Sequence, residues 1–229
     1  MFELNLFAQA LFGEGDADFT LPVPEAMVTE VFQDSRKNIW LGTYDKGLFA
    51  DYFYKEKFGG SDNYLNRQIG NSSVLAVVMD RSRNLWISTM LRGLFVYHTE
   101  TQKVEAIPLE GLPAGEQKNA VTHIFCDQDG QLWLSTGGMV MKCRYDGNRL
   151  NILSQTPVMA AMDFEQTDDG TVWVATSSND IVGFPKGNDT PIVKQAFNAD
   201  FCFIPSLLKL NDGQMLISAF FQKIVRLNP

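Results

Sequence analysis

Two histidines, three cysteines and a recurring aspartate are the residues of this chain with the most versatile chemistry. Cys126, Cys143 and Cys202 are too widely spaced for a zinc pattern, and an odd number leaves at least one unpaired within the chain. Buried thiols are the expectation for all three, which leaves the redox compartment open. His98 and His123 fall in strand-like apolar surroundings, where a lone histidine is structural more often than catalytic. Asp34, Asp80 and Asp127 each open a polar turn, where a carboxylate accepts a bond from the backbone N–H two residues on. As calcium ligands they would need several convergent oxygens, and the sequence offers no such set. Asp45 and Asp180 are isolated loop acids, a weak basis for carboxylate catalysis. No catalytic residue, metal or cofactor is assigned, and the chain is expected not to be an enzyme.

The elements that would position these groups follow from a repeat. Five segments align: VFQDSRKNIWLGT (31–43), VVMDRSRNLWIST (77–89), IFCDQDGQLWLST (124–136), FEQTDDGTVWVAT (164–176) and LKLNDGQMLISA (208–219). Trp40, Trp86, Trp133, Trp173 and Leu216 share one register, at spacings of 46, 47, 40 and 43 residues. Such periods are those of propeller blades, with one four-stranded sheet per repeat. Runs such as Leu132-Trp133-Leu134 are apolar on both faces, which suits a sheet sandwiched between other sheets. The four tryptophans therefore read as core packing between blades. A third strand begins at Gly47-Leu48-Phe49 and Gly93-Leu94-Phe95, and a weaker fourth at Lys103–Ile107 and Ile192–Gln195. The turn between the first two strands carries Gly130, Gly170 and Gly213 in three repeats, where glycine accepts a positive φ. Lys37 and Arg83 stand there in the first two, so those turns are either mildly strained or differently shaped.

The predicted fold is all-β, a single propeller domain or fragment of about five four-stranded blades. They span approximately 28–69, 74–108, 121–155, 158–196 and 204–229, with 4–12 a candidate closing strand. No helix longer than two turns is expected. The chain of 229 residues is 45% hydrophobic with net charge -8, enough for a core and ill suited to nucleic-acid phosphates. No apolar run reaches the length of a membrane span. Met1–Phe12 lacks a basic start and a cleavage site, so it does not read as a signal peptide.

The string D-x-x-G/N-x-L-W-I/L-x-T followed by G-L-F, as in DRSRNLWIST with RGLF and DSRKNIWLGT with KGLF, resembles the two-component regulator propeller repeat. The resemblance covers roughly residues 28–227 and is closest in the first three repeats. It implies the sensor region of a hybrid two-component system of the Bacteroidetes type. Such regions lie in the periplasm, ahead of a membrane helix and a histidine kinase, and many respond to oligosaccharides and control polysaccharide use. By resemblance the partners are an oligosaccharide or other small ligand, with a homodimer as a further expectation. The membrane would be met only through the parent protein. Family propellers usually have seven blades, so five imply part of a longer propeller, with closure of a small ring as the alternative.

A ligand would sit on the face shared by the loops joining strands two to three and four to one. Those loops bring Tyr44, Lys46, Arg92, Asn119, Asn179 and Phe221. Tyr44 or Phe221 can stack on a sugar ring, Lys46 and Arg92 can bind a carboxylate or sulfate, and Asn119 and Asn179 can bond hydroxyls. Ordinary solvated loops would show the same residues. A propeller enzyme acting on glycans, a lyase or glycosidase, and a protein-interaction scaffold are the competing functions.

Overall fold

The computed structural model describes residues 28–34, 37–44, 46–51, 64–70, 72–109, 120–188, 190–197, 204–219 and 224–228. Within them lie eighteen strands in five antiparallel sheets, each sheet contiguous in sequence. The first blade comprises β1 (Val28–Gln33), β2 (Ile39–Thr43) and β3 (Gly47–Asp51). The second comprises β4 (Val74–Met79), β5 (Asn84–Thr89), β6 (Gly93–His98) and β7 (Lys103–Ile107). The third holds β8 (His123–Cys126), β9 (Leu132–Ser135), β10 (Met139–Tyr145) and β11 (Leu150–Pro157). The fourth holds β12 (Ala161–Gln166), β13 (Val172–Thr176), β14 (Asp180–Phe184) and β15 (Ile192–Gln195). The fifth holds β16 (Ser206–Lys209), β17 (Met215–Ser218) and β18 (Val225–Leu227). This is the expected five-bladed propeller arrangement. The first and fifth blades have three strands among the described residues, and the proposed closing strand at 4–12 lies outside them.

Blades meet through their first strands: β1 lies beside β4, β4 beside β8, β8 beside β12 and β12 beside β16. The second strands carry the indoles, and each indole fills the gap to the next blade. Trp40 packs with Val77, Leu85 and Ile87 of the second blade. Trp86 packs with Leu132, Leu134 and Met141 of the third. Trp133 packs with Phe164, Val172 and Val174 of the fourth, and Trp173 with Leu207, Met215 and Ile217 of the fifth. Every residue of β2, β9 and β13 is buried, as a sheet covered on both faces requires. All four tryptophans are buried.

The Asp turns do more than cap themselves. Asp80 Oδ1 accepts from Ser82 and Asn84 backbone N–H at 2.8 and 2.9 Å, while Oδ2 accepts the Trp86 indole N–H at 2.9 Å. Asp127 repeats this with Asp129, Gln131 and Trp133, at 2.9, 2.8 and 2.9 Å. Asp34 Oδ2 accepts from Trp40 at 3.2 Å. One carboxylate therefore ties the turn backbone to the indole wedged against the next blade. Lys37 and Arg83 take φ values of 65° and 62°, beside 74° at Gly130, 85° at Gly170 and 80° at Gly213. The five turns share one shape, and the first two accept a left-handed non-glycine residue to keep it.

The short helix α1 (Tyr64–Ile69) follows the first blade. Leu65 and Ile69, one helical turn apart, are buried in the core between the first two blades. Asn66 Oδ1 accepts the Leu48 N–H at 2.8 Å, so α1 is tied to β3 by a backbone-to-side-chain bond.

Candidate functional site

The first strands of the blades converge, and one position recurs on them. Glu30, Ala76, His123, Asp163 and Ser206 each stand ten residues before Trp40, Trp86, Trp133, Trp173 and Leu216. Each is paired across to a small residue of its second strand: Gly42, Ser88, Ser135, Ala175 and Ser218. In β1, β4 and β12 a bulge immediately precedes this position, which re-aims the strand there. Loop reasoning missed this set, although its constant offset from the indole register was present in the sequence.

The environment shifts all three titratable members. Burial, and then the charge of Asp163, pushes the Glu30 carboxyl up from 4.5 to about 7. Those two residues belong to the first and fourth blades. Burial raises Asp163 too, against bonds from the Leu207 and Phe164 N–H groups. Burial lowers His123, and the Ala161 backbone of the fourth blade acts in the opposite direction. His123 Nδ1 lies 3.5 Å from Ser135 Oγ, which is 2.8 Å from Thr122 Oγ1. A carboxyl lifted toward neutrality by burial and a second acid can accept or deliver a proton and can bond ligand hydroxyls. Among the described residues no group of three or more His, Cys, Asp or Glu side chains is arranged to hold a metal ion.

The predicted loop residues divide. Tyr44 is an exposed turn residue of the first blade, 47% accessible, and its carbonyl accepts a bond from Ser73 Oγ. Ser73 also accepts the Met90 N–H at 2.9 Å, which joins this turn to the second blade's loop. Lys46 is half-buried with its N–H on Thr43 Oγ1 at 3.0 Å. Arg92 is exposed and lies over Gly70 at the end of α1. Tyr44 and Arg92 thus stand on neighbouring loops linked through Ser73, and Leu91 beside Arg92 is 81% exposed. Asn179 is on the fourth blade's loop, where its carbonyl accepts from Ala196 and Phe197. Asn119 and Phe221 lie outside the described residues, as do Asp45 and Cys202. Met159, 79% exposed, caps the turn between the third and fourth blades, and Ala160 beside it holds a φ of 44°. Asp180 begins β14 and its carbonyl accepts from Thr176 Oγ1. These loops sit at the end of the sheets where Glu30, His123 and Asp163 emerge, because those residues pair with the last positions of the second strands.

Residues 115–138, which contain the Asp127 turn, Trp133 and the loop at Gly137-Gly138, match the family model described as "Two component regulator propeller". This segment is a two-component regulator propeller repeat. The chain also resembles solved structures at low identity, so these show the fold. One is the extracellular domain of the putative hybrid two component system BT3049 from B. thetaiotaomicron, with TM-score 0.70 and 17% identity over 89% of this chain and 28% of that one. Another is the corresponding domain of BT4673 from B. thetaiotaomicron, with TM-score 0.55 and 18% identity over 87% of this chain and 31% of that one. The third is virginiamycin B lyase from Staphylococcus aureus, with TM-score 0.67 and 10% identity over 91% of this chain and 72% of that one. The chain spans under a third of the length of the two-component structures that it resembles. No curated protein matches its sequence. Among the described residues no helix is long and apolar enough to cross a membrane.

Proposed function

We propose that this chain is a ligand-sensing propeller portion of a hybrid two-component signalling protein, held outside the cytoplasm, with no catalytic activity of its own. The observation that carries this reading is the Asp-turn-indole unit, whose third copy matches the two-component regulator propeller model. The fold shared with extracellular domains of two such systems supports it. The ligand is an oligosaccharide. It lies across the face that carries Tyr44, Lys46, Arg92 and Asn179, with its hydroxyls turned toward Glu30, His123 and Asp163. Tyr44 offers a ring face, Arg92 a charged fork, and the channel acids accept hydroxyl protons. Ligand occupancy would pass to a membrane-anchored kinase in the parent protein and regulate polysaccharide use. A homodimer of the sensor region is the expected signalling state. A glycan array probed with the intact sensor region tests the reading. Retention of a defined set of oligosaccharides, lost on Tyr44→Ala with Arg92→Ala, supports it. Retention of none would overturn the ligand class.

The acids and imidazole on the first strands favour one other reading, a propeller lyase or glycosidase, since burial lifts the Glu30 carboxyl to about 7. Incubation of the same glycans with the chain separates the two. Cleavage products that disappear with Glu30→Gln establish the enzyme; unchanged glycans leave the sensor.

A further inference from the structure

On the opposite end of the sheets, a cleft of about 540 Å³ opens between the second and third blades. Its walls are the Asp80 and Asp129 turns on one side and the β10–β11 turn at Asp146 on the other, with His98 and Tyr145 on its floor. None of the loop residues considered above lines it. His98 and Tyr145 rings stack at 6.2 Å between centroids and 28° between planes, and Tyr145 stands edge-on to Trp86 at 4.9 Å. The floor is thus anchored in the core.

Three aspartates line the cleft, yet their acceptor capacity is spent inside the protein. Asp80 receives four bonds: from Ser82 N, Asn84 N, Asn84 Nδ2 and Trp86 Nε1. Asp146 receives Asn148 N, Arg149 N and Asn151 Nδ2, which hold its carboxyl below the usual range. Asp129 is paired with Lys186 of the fourth blade at 2.8 Å. The donors are in the opposite condition. The Arg81 guanidinium bonds the Asp127 carbonyl through Nε at 3.3 Å and feels the Asp129 charge, and the Arg144 guanidinium, beyond its backbone pairing with Asn151, has no hydrogen bond or ion pair among the described residues. Two guanidinium groups therefore reach the same cleft with unused N–H donors, and guanidinium forks match planar or tetrahedral oxyanions.

We infer that this cleft is a second binding site, selective for a small solute carrying a carboxylate or sulfate group, held by Arg81 and Arg144. The stacked His98 and Tyr145 rings supply a flat aromatic floor for the rest of the solute. The site is independent of the loop face and does not rest on the sensor reading.

NMR titration of the 15N-labelled chain with glucuronate, and separately with glucose, tests it. Glucuronate is expected to shift the Arg81 and Arg144 side-chain N–H signals and the Gly130 and Gly147 amides saturably. Added salt should weaken that binding. Arg144→Gln should weaken it about tenfold, as loss of a charge-assisted bond does. Arg144 is exposed, so this variant should keep the far-ultraviolet circular dichroism of the parent. Equal response to glucose, shifts confined to the loop-face residues, or no shift at the highest soluble glucuronate concentration would each overturn the assignment.

Discussion

Trp133 donates its indole N–H to Asp127 at 2.9 Å, and the matching pair in the fourth blade, Trp173 and Thr167, makes no such bond. Trp173 is as buried as its counterparts, and its Nε1 has no partner among the described residues. Thr167 instead bonds Asp169 and the Thr171 carbonyl within its own turn. The fifth repeat lacks both members, with Leu210 and Leu216 in their places. Indole and carboxylate are thus coupled: an Asp at the turn is useful where an indole needs an acceptor, and a buried indole without it bears a desolvation cost.

The coupling predicts opposite outcomes for two substitutions. Asp127→Ala should destabilise the chain by about 2–3 kcal/mol, because one indole and two backbone donors lose their acceptor. Thr167→Asp should stabilise it by about 1 kcal/mol by giving Trp173 one. Urea unfolding followed by tryptophan fluorescence measures both. Loss of stability in both variants would refute the coupling.

Backbone strain at the turns gives a second pair. Arg83 holds φ 62° at the place where Gly130 holds 74°. Arg83→Gly should stabilise by about 0.5 kcal/mol after the entropy of glycine is subtracted. Gly130→Ala should cost about 1–2 kcal/mol. The cost is conformational, since an added Cβ would meet only Arg81 Cδ at 3.6 Å. Thermal melts of the two variants give the signs.

The fourth and fifth blades are joined by a carboxylate seam. Asp163 Oδ2 accepts the Leu207 N–H at 2.8 Å, and Glu165 Oε2 accepts the Lys209 N–H at 2.9 Å. Two successive acids of one face of β12 therefore bond two amides of β16. Alanine at both acids should speed hydrogen exchange at Leu207 and Lys209 by roughly tenfold or more, while the β9 amides keep their protection. Uniform acceleration throughout the chain would show global unfolding instead.

Much of this was legible in the sequence. The indole register fixed the second strands, the blade order and the core role of the tryptophans, because one large residue per period reports a repeated environment. The strands holding His98 and His123 were equally plain. The seam was hidden, because Asp163 and Glu165 look like ordinary strand acids until β16 lies beside them. The channel set was hidden for a different reason: Glu30, His123 and Asp163 differ in type and share only an offset, and offset carries meaning once the strands converge. Helix α1 escaped because YLNRQI is too short for periodicity to separate it from a strand. The Arg81 and Arg144 cleft needs two turns from different blades brought together.

Glu30 supplies a pH test. Its carboxyl is lifted from 4.5 to about 7 by burial and by Asp163. A folded-state value above the unfolded one means that the folded chain binds the extra proton, so stability falls as pH rises from about 4.5 through about 7. Glu30→Gln should flatten this slope and leave the variant more stable than the parent above neutrality, by at most about 3 kcal/mol. Denaturant midpoints at pH 5 and pH 8 decide it; an unchanged slope would place the Glu30 carboxyl in water.

The central claim is that ligand is sensed where the first strands converge beneath the loops between strands two and three. Hydrogen exchange measured with and without an oligosaccharide retained on the array tests it most directly. Slowed exchange is expected at 43–47, 89–93, 158–161 and 177–180. Protection restricted to the opposite turns, at 80–84 and 127–131, or exchange that ligand leaves unchanged everywhere, would contradict it.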